Sequence, residues 1–370
     1  MKIIADETKK CIGCYACADV CPKSCIRMEI VENNLTAVVN EESCIKCGLC
    51  SKVCQVNSMP EKHEHIECFA AVDKKECKTS SSGGIATSIA KYYLEKGCAV
   101  IGCALLEDNK VKHIVVDKTE DADKLKGSKY VKSDMSGVYR EIKRLKDKPL
   151  CFIGTPCLVA GARKFCETLK IDDKNILFVD LVCHGTPNQY VLRDCIGDNK
   201  LKAFRDGNSF ELVFENELNK EDKKYAEMYM MGFLHCLFYN QACYECPYAC
   251  PQRVGDVTLG DFWGLQNGEN FEKENGVSLV IVNTEKGRAV VDDLKIYKEK
   301  RTIEEASAQN GQLKAPSLKH KNNGRFVDEF PVKGKNCLKK LLMRYRIKRA
   351  IRNVLYSNGV TKKIVEKLMK

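Results

Sequence analysis

A cysteine run that occurs twice decides the fold of the N-terminal region. Residues 11–22 read CIGCYACADVCP, and after a 21-residue spacer residues 44–54 read CIKCGLCSKVC. In both runs the cysteines are separated by two, two and three residues. Three thiolates on one tight loop can bind three corners of an iron–sulfur cube, while the delayed fourth cysteine reaches a second cube. The stretch therefore predicts two 4Fe–4S clusters and a role in electron transfer.

The crossed spacing also predicts the ligand set of each cluster. In this pattern the fourth cysteine of each run binds the cluster of the other run. Two zinc sites or a disulfide scaffold would not require it, because zinc needs only four ligands at one site. We therefore expect residues 1–60 to form a small bacterial-type double-cluster ferredoxin domain. Gln55 stands where the first run has Pro22. Cluster one is assigned to Cys11, Cys14, Cys17 and Cys54, and cluster two to Cys44, Cys47, Cys50 and Cys21.

Length and composition indicate the domain organisation and the cellular compartment of the chain. The 370 residues suffice for the small module and one large domain, and 23 residues are cysteine. The start at Met1 runs directly into polar sequence, and no apolar run approaches the roughly 18 residues of a membrane span. We expect a cytoplasmic protein whose cysteines are reduced thiols.

Positive charge is concentrated at the C-terminus. Residues 333–370 contain 13 Lys or Arg and one acid, a net +12, so the remainder of the +11 chain sums to −1. This distribution argues against a nucleic-acid partner. Residues 331–370 are expected to be a basic amphipathic helical tail, which would contact a membrane surface or an acidic partner, or else pack on its own domain. Residues 304–331 are expected to be irregular.

Residues 67–330 are predicted to form a larger α/β domain. A strand at residues 150–153 runs into Gly154-Thr155-Pro156, and one at residues 175–183 runs into Gly185-Thr186-Pro187. Each Thr is expected at a helix N-cap with Pro at the first helical position. Two such units predict parallel strands whose carboxyl ends form a cofactor-binding edge, although two well-capped turns would explain the pattern too.

Two further segments carry candidate chemistry. The loop Ser80–Gly84 opens a helical pattern and offers backbone N–H groups to an anion, and an ordinary N-cap is the alternative. Cys243, Cys246 and Cys250 supply three corners of a third cluster, with Cys157 and Cys183 as candidates for the fourth ligand. Zinc and structural thiols remain alternatives for this group.

Taken together, the motifs of residues 67–300 resemble the coenzyme F-420 hydrogenase/dehydrogenase β-subunit family. Members of that family also occur fused to a double-cluster ferredoxin. The carrying segments are residues 81–84, residues 127–131, Gly154–Cys157 with Gly161 and Arg163, residues 183–185, the group Cys243, Cys246 and Cys250, and residues 260–264.

The resemblance implies an FAD flavoprotein with a cluster close to the flavin, which exchanges electrons between single-electron clusters and a two-electron carrier, typically F-420. His184 is expected beside the flavin or the cluster, or as a structural histidine. The flavin contacts that the resemblance implies are Ser82, Gly83, Gly84, Lys129, Thr155 and Arg163, with Lys129 or Arg163 toward a phosphate.

The expected function is therefore an iron–sulfur flavoprotein oxidoreductase. Its partners would be a redox protein or ferredoxin and a small hydride carrier such as F-420. The alternatives are a non-catalytic electron-transfer subunit, and a reductase of a cell-envelope intermediate that sits at the inner membrane face through the basic tail.

Overall fold

A computed structural model describes residues 11–207, 209–266, 268, 271 and 276–348. The helices are α1 (Ala16–Val20), α2 (Leu49–Val53), α3 (Ile85–Glu95), α4 (Val138–Arg144), α5 (Pro156–Leu169), α6 (Gln189–Ile196), α7 (Lys220–Leu234), α8 (Glu285–Asp293), α9 (Ile303–Gln309), α10 (Asn323–Lys333) and α11 (Asn336–Leu341). The strands are β1 (Ile26–Val31), β2 (Asn34–Val39), β3 (Glu67–Val72), β4 (Ala99–Leu105), β5 (Val111–Val116), β6 (Leu150–Gly154), β7 (Ile176–Leu181), β8 (Leu201–Ala203), β9 (Val213–Phe214), β10 (Val257–Asp261), β11 (Ser278–Val282) and β12 (Tyr297–Arg301).

The N-terminal module is built from an antiparallel hairpin and two short helices. Strands β1 and β2 pair from Ile26 with Val39 to Val31 with Asn34. Helices α1 and α2 each follow a residue in the left-handed region, Tyr15 at φ 70° and Gly48 at φ 77°. Each helix thus contains the third cysteine of its run, Cys17 or Cys50, and ends at the fourth, Cys21 or Cys54.

The large domain is organised around a sheet in the order β12-β3-β11-β10-β7-β6-β4-β5. Strands β4, β6, β7 and β10 are parallel neighbours, and β5 and β11 run antiparallel to them at the two sides of this set. The parallel pairing of β6 with β7 confirms the prediction from the repeated strand–turn pattern. Mixed α/β architecture is therefore confirmed, and the carboxyl ends of four parallel strands meet at one edge.

The two Gly-Thr-Pro turns do not have the same structure. Thr155 is the N-cap of α5 and Pro156 its first residue, as predicted. The expectation that Pro187 opens the second helix is wrong, because α6 begins at Gln189 after Asn188. At Gly185, φ is +124°, and a Cβ there would lie 2.3 Å from the Tyr239 ring. Packing against Tyr239 therefore extends this turn and delays the helix.

The C-terminal part is more regular than predicted. Residues 304–331 are not irregular, since they contain most of α9 and of α10, whose Phe326 and Phe330 are buried in a core that they share with residues of α7. Leu338 and Leu341 of α11 are buried in the same core. This part of the basic tail packs on its own domain, and Ile351, Val354 and Leu355 lie outside the described residues. No helix among the described residues is long and apolar enough to cross a membrane.

Candidate electron-transfer site

The first group of thiols, which we call site one, gathers around the first cysteine run. Burial, and then the neighbouring Cys11 and Cys54 thiolates, raise the pKa of Cys14 to about 12. Burial likewise raises the pKa of Cys17, to which the charges of Cys14, Cys11 and Cys54 add. The four thiols assigned to cluster one from their spacing therefore lie close enough in the folded chain for the charge of one to raise the pKa of another.

The second group, site two, lies around the second run. Burial raises the pKa of Cys50, and the charges of Cys47 and Cys21 add to this rise. A cavity here is lined by Cys21, Cys44, Cys47 and Cys50, the four thiols assigned to cluster two. The Cys25 thiol lies 3.4 Å from that of Cys21, beside the same cavity. Cys47 is exposed, so this site opens to solvent.

A third group of thiols, site three, forms at the carboxyl edge of the sheet. Burial raises the pKa of Cys183, with further contributions from Cys157, Cys243 and Cys246. Burial also raises the pKa of Cys246 to about 12, helped by the charges of Cys157 and Cys243. Cys157 is the second residue of α5 and Cys183 follows β7, so the parallel strands bring both candidate fourth ligands to the pair Cys243 and Cys246.

Cys250 occupies a different environment from Cys243 and Cys246. Its Sγ lies 3.2 Å from the Gln252 carbonyl oxygen and 3.6 Å from that of Pro247. The Lys62 ammonium donates to the Cys250 sulfur at 3.4 Å. The Cys250 thiol thus contacts two backbone carbonyls and a lysine. The thiols of Cys157, Cys183, Cys243 and Cys246 instead interact through their charges.

The chemistry of these three groups suits clusters. All twelve donors are thiols, which are soft ligands for iron–sulfur clusters. Among the described residues, no three His, Cys, Asp or Glu side chains converge closely enough to hold a single metal ion. A 4Fe–4S cube places one thiolate at each of four separate iron corners, so its ligand sulfurs lie farther apart than those around a single ion.

Buried polar contacts join the module to the large domain beside site one. The Asp19 carboxylate accepts hydrogen bonds from the backbone N–H groups of Gly137 and Tyr139, both at 2.9 Å. Helices α1 and α2 contact α5, where Gly161 permits a close approach, since a Cβ there would lie 2.6 Å from the Tyr139 hydroxyl and 3.5 Å from Cys14 Cβ. The module is therefore fixed with site one facing the large domain.

Gln55 connects sites one and three, and sequence reasoning did not identify this role. It follows Cys54 of site one and is 1% exposed. Its amide nitrogen donates to the Cys157 carbonyl at 2.7 Å, and its amide oxygen accepts from the Tyr248 hydroxyl at 2.6 Å. The replacement of the proline expected after Cys54 was the signal available in the sequence.

Lys132 is the second residue that sequence reasoning missed. Its ammonium donates to the Ile12 carbonyl at 2.9 Å and to the Cys157 sulfur at 3.7 Å, and the side chain is buried. Its backbone N–H donates to the Pro187 carbonyl at 2.7 Å. Lys132 thus touches a site-one loop, a site-three thiol and the second Gly-Thr-Pro turn.

Several of the residues expected at a flavin lie near the carboxyl edge. Ser82, Gly83 and Gly84 follow β3 and precede α3, and the buried Ser82 hydroxyl has no hydrogen-bond partner among the residues that the structure describes. The Thr155 hydroxyl lies 3.3 Å from the Cys157 sulfur. His184 has an exposed side chain directly after Cys183.

The two cations expected near a phosphate have other partners. The Lys129 ammonium donates to the carbonyls of Cys103, Leu125 and Lys126 at 2.7–3.0 Å, which uses all three of its N–H donors. Arg163 lies two turns into α5, where it donates to the Val254 carbonyl at 2.6 Å and forms ion pairs with Asp173 and Asp256. Both side chains stabilise the scaffold in this structure.

The fold and these sulfur sites define a class, an iron–sulfur protein in which a two-cluster ferredoxin module is joined to an α/β domain. Comparison with protein families agrees: a 4Fe–4S dicluster domain matches residues 10–58. The N-terminal and C-terminal parts of the coenzyme F420 hydrogenase/dehydrogenase β subunit match residues 68–140 and 147–309. The chain belongs to the coenzyme F420 hydrogenase/dehydrogenase β-subunit family.

Individual relatives are more distant. An uncharacterised protein of Methanocaldococcus jannaschii is 27% identical over 192 residues, which are 41% of this chain and 52% of that protein. A ferredoxin of Rickettsia felis is 36% identical over 66 residues, which are 18% of this chain and 56% of that protein. The chain thus spans about half the length of these two curated relatives.

Among solved structures, a chain of the F420-reducing NiFe hydrogenase complex from Methanosarcina barkeri is similar with a TM-score of 0.44 and 20% identity. The similarity covers 75% of this chain and 92% of that chain. It is too distant to carry an argument about activity.

Proposed function

We propose that this protein is an iron–sulfur flavoprotein oxidoreductase that transfers electrons between a two-electron carrier, coenzyme F-420 or another hydride donor, and ferredoxin-type 4Fe–4S clusters. The observation that carries the proposal is the placement of site three. Its four thiols lie at the carboxyl edge of the parallel strands, where α/β proteins bind cofactors, and it contacts site one through Gln55 and Lys132.

In this proposal the third cluster would be held by the four thiols that interact through their charges, Cys157, Cys183, Cys243 and Cys246. Cys250 would not be a ligand in this proposal, since its thiol faces two backbone carbonyls and Lys62. Cysteine thiols bind such a cluster only after losing their protons, so binding of the cluster would offset the effect of burial, which otherwise favours the protonated thiols.

FAD would bind at the same carboxyl edge. The unpartnered Ser82 hydroxyl and the backbone of Gly83 and Gly84 would hold it, with Thr155 and His184 on the side of site three. Bound FAD supplies the exchange between hydride and single electrons. Lys129 and Arg163 would position the surrounding loops and α5 through the carbonyls and carboxylates that they already contact.

Site two would exchange electrons with an external redox protein such as a ferredoxin. Cys47 is exposed, and the cavity around the site two thiols is also lined by Lys23 and Lys46. Site one would lie between the other two, since the charge of Cys50 acts on Cys17 and Gln55, next to Cys54, donates to the Cys157 carbonyl. The protein itself would thus hold the cofactors in order and exclude water from the inner two sites.

The decisive experiment is the iron and flavin content of one anaerobic preparation. We expect about 12 iron atoms per chain, from three four-iron clusters, together with one FAD. About eight iron atoms and no flavin would contradict the proposal and identify a non-catalytic electron-transfer subunit.

A matched pair of variants tests the ligand set of site three. Cys246→Ala should lose about four iron atoms per chain, whereas Cys250→Ala should retain the full content. Loss of iron in Cys250→Ala with full retention in Cys246→Ala would overturn the assignment. Reduced F-420 and NADPH would then be compared as electron donors to the loaded protein.

A further inference from the structure

Lys132 is a buried cation without a carboxylate partner among the described residues. Its residue is 5% exposed, and its ammonium donates to one backbone carbonyl and one thiol sulfur. A buried charge is costly unless an opposite charge lies close to it. Unlike Lys129, whose ammonium donates to three carbonyls, Lys132 has a single carbonyl acceptor, so negative charge close to it would stabilise it.

Two other buried or partly buried lysines of the chain are compensated by a carboxylate. Lys164 of α5 is 3% exposed and forms an ion pair with Glu167 at 2.7 Å. Lys126 is 12% exposed in its side chain and pairs with Glu76 at 3.1 Å. The groups in contact with the Lys132 ammonium are instead Cys157 of site three and the carbonyl of Ile12, which directly follows Cys11 of site one.

A 4Fe–4S core with four thiolate ligands carries net negative charge, and each one-electron reduction adds one more negative charge. Net charge and hydrogen bonds to the sulfurs set the reduction potentials of such clusters. An ammonium that donates to a ligand sulfur stabilises the reduced state more than the oxidised state, and low local dielectric strengthens this effect.

We propose that Lys132 is the shared counter-cation of sites one and three, a positioning residue that raises the reduction potentials of both clusters and favours electron exchange between them. The inference rests on the proposed clusters and extends that function, since it assigns the control of the inner electron-transfer step to one side chain. Site two would be outside its influence, because its cavity is lined by other residues.

The test is an anaerobic redox titration of the full chain followed by electron paramagnetic resonance. The wild type is compared with Lys132→Met, Lys132→Arg and a control, Lys164→Met, which removes a buried lysine from the helix that begins beside Cys157. We expect Lys132→Met to move the midpoints of sites one and three to lower potential and to leave that of site two unchanged. Lys132→Arg and Lys164→Met should leave all midpoints in place.

Signals are assigned by repeating the titration in Cys47→Ala and Cys246→Ala backgrounds, which lack site two and site three respectively. If Lys132→Met loses iron, Lys132→Gln replaces it, because glutamine keeps a donor without the charge. Unchanged midpoints, or equal shifts at all three sites, would overturn the inference. If the wild type contains only about eight iron atoms, the proposed function fails, while the shift at site one still tests Lys132 separately.

Discussion

Sites one and two come from nearly identical cysteine runs, and their surroundings differ. Cys17 of site one is 6% exposed and belongs to a hydrophobic core that it shares with α5, whereas Cys47 of site two is exposed. The residue after the last cysteine shows the same contrast: Gln55 is buried and bonded to the large domain, and Pro22 is exposed. Docking on the large domain has made one of two similar sites internal.

The largest difference is expected when one ligand of each site is removed. Cys17→Ala and Cys47→Ala should each lose about four iron atoms. Cys17→Ala should also lower the thermal unfolding midpoint by roughly 1–3 °C more than Cys47→Ala, because it removes a buried sulfur at the domain contact. Iron analysis and anaerobic calorimetry measure both effects. Equal decreases in the midpoint would show that site one is no more integrated than site two.

A smaller effect is expected from the polar contact that fixes the module. Asp19→Ala leaves the buried N–H groups of Gly137 and Tyr139 without their acceptor, so the free energy of unfolding should fall by about 2–4 kcal/mol. The control is Asn40→Ala on the exposed side, where one hydrogen bond to the Glu42 N–H is lost and about 0.5 kcal/mol or less is expected. Anaerobic urea unfolding compares the two, and similar losses would contradict a buried anchor.

The smallest expected effect concerns the link between sites one and three. Gln55→Ala removes the partner of the Cys157 carbonyl and of the Tyr248 hydroxyl, at a cost of about 1–3 kcal/mol. Tyr248→Phe removes one of the same bonds, so the double variant should lose less than the sum of the single variants. Asn57→Ala, which removes an exposed bond to Ser51, is the control for this urea-unfolding series. Strict additivity would argue against a connected network.

Local patterns predicted the elements that depend on local chemistry. The Thr155-Pro156 start of α5, the parallel pair β6 and β7, and the helix α3 after Gly84 agree with the structure. The second turn differs from the prediction because the ring of Tyr239, more than 50 residues away in sequence, packs against Gly185. Long-range packing of this kind leaves no periodic signal near the turn itself.

The sequence alone determined the family and the α/β class, and it predicts the grouping of the eight ferredoxin cysteines, because ligand spacing on a short loop is a local property. Tertiary structure decided which thiols lie near one another at the third site, since Cys157 and Cys183 follow the paired strands β6 and β7, whereas Cys243 and Cys246 come from a segment about 60 residues further along the chain. Tertiary structure also decided the contacts that Gln55 and Lys132 make with Cys157. A glutamine or lysine acquires such a role only from what surrounds it after burial, and no spacing rule records those neighbours.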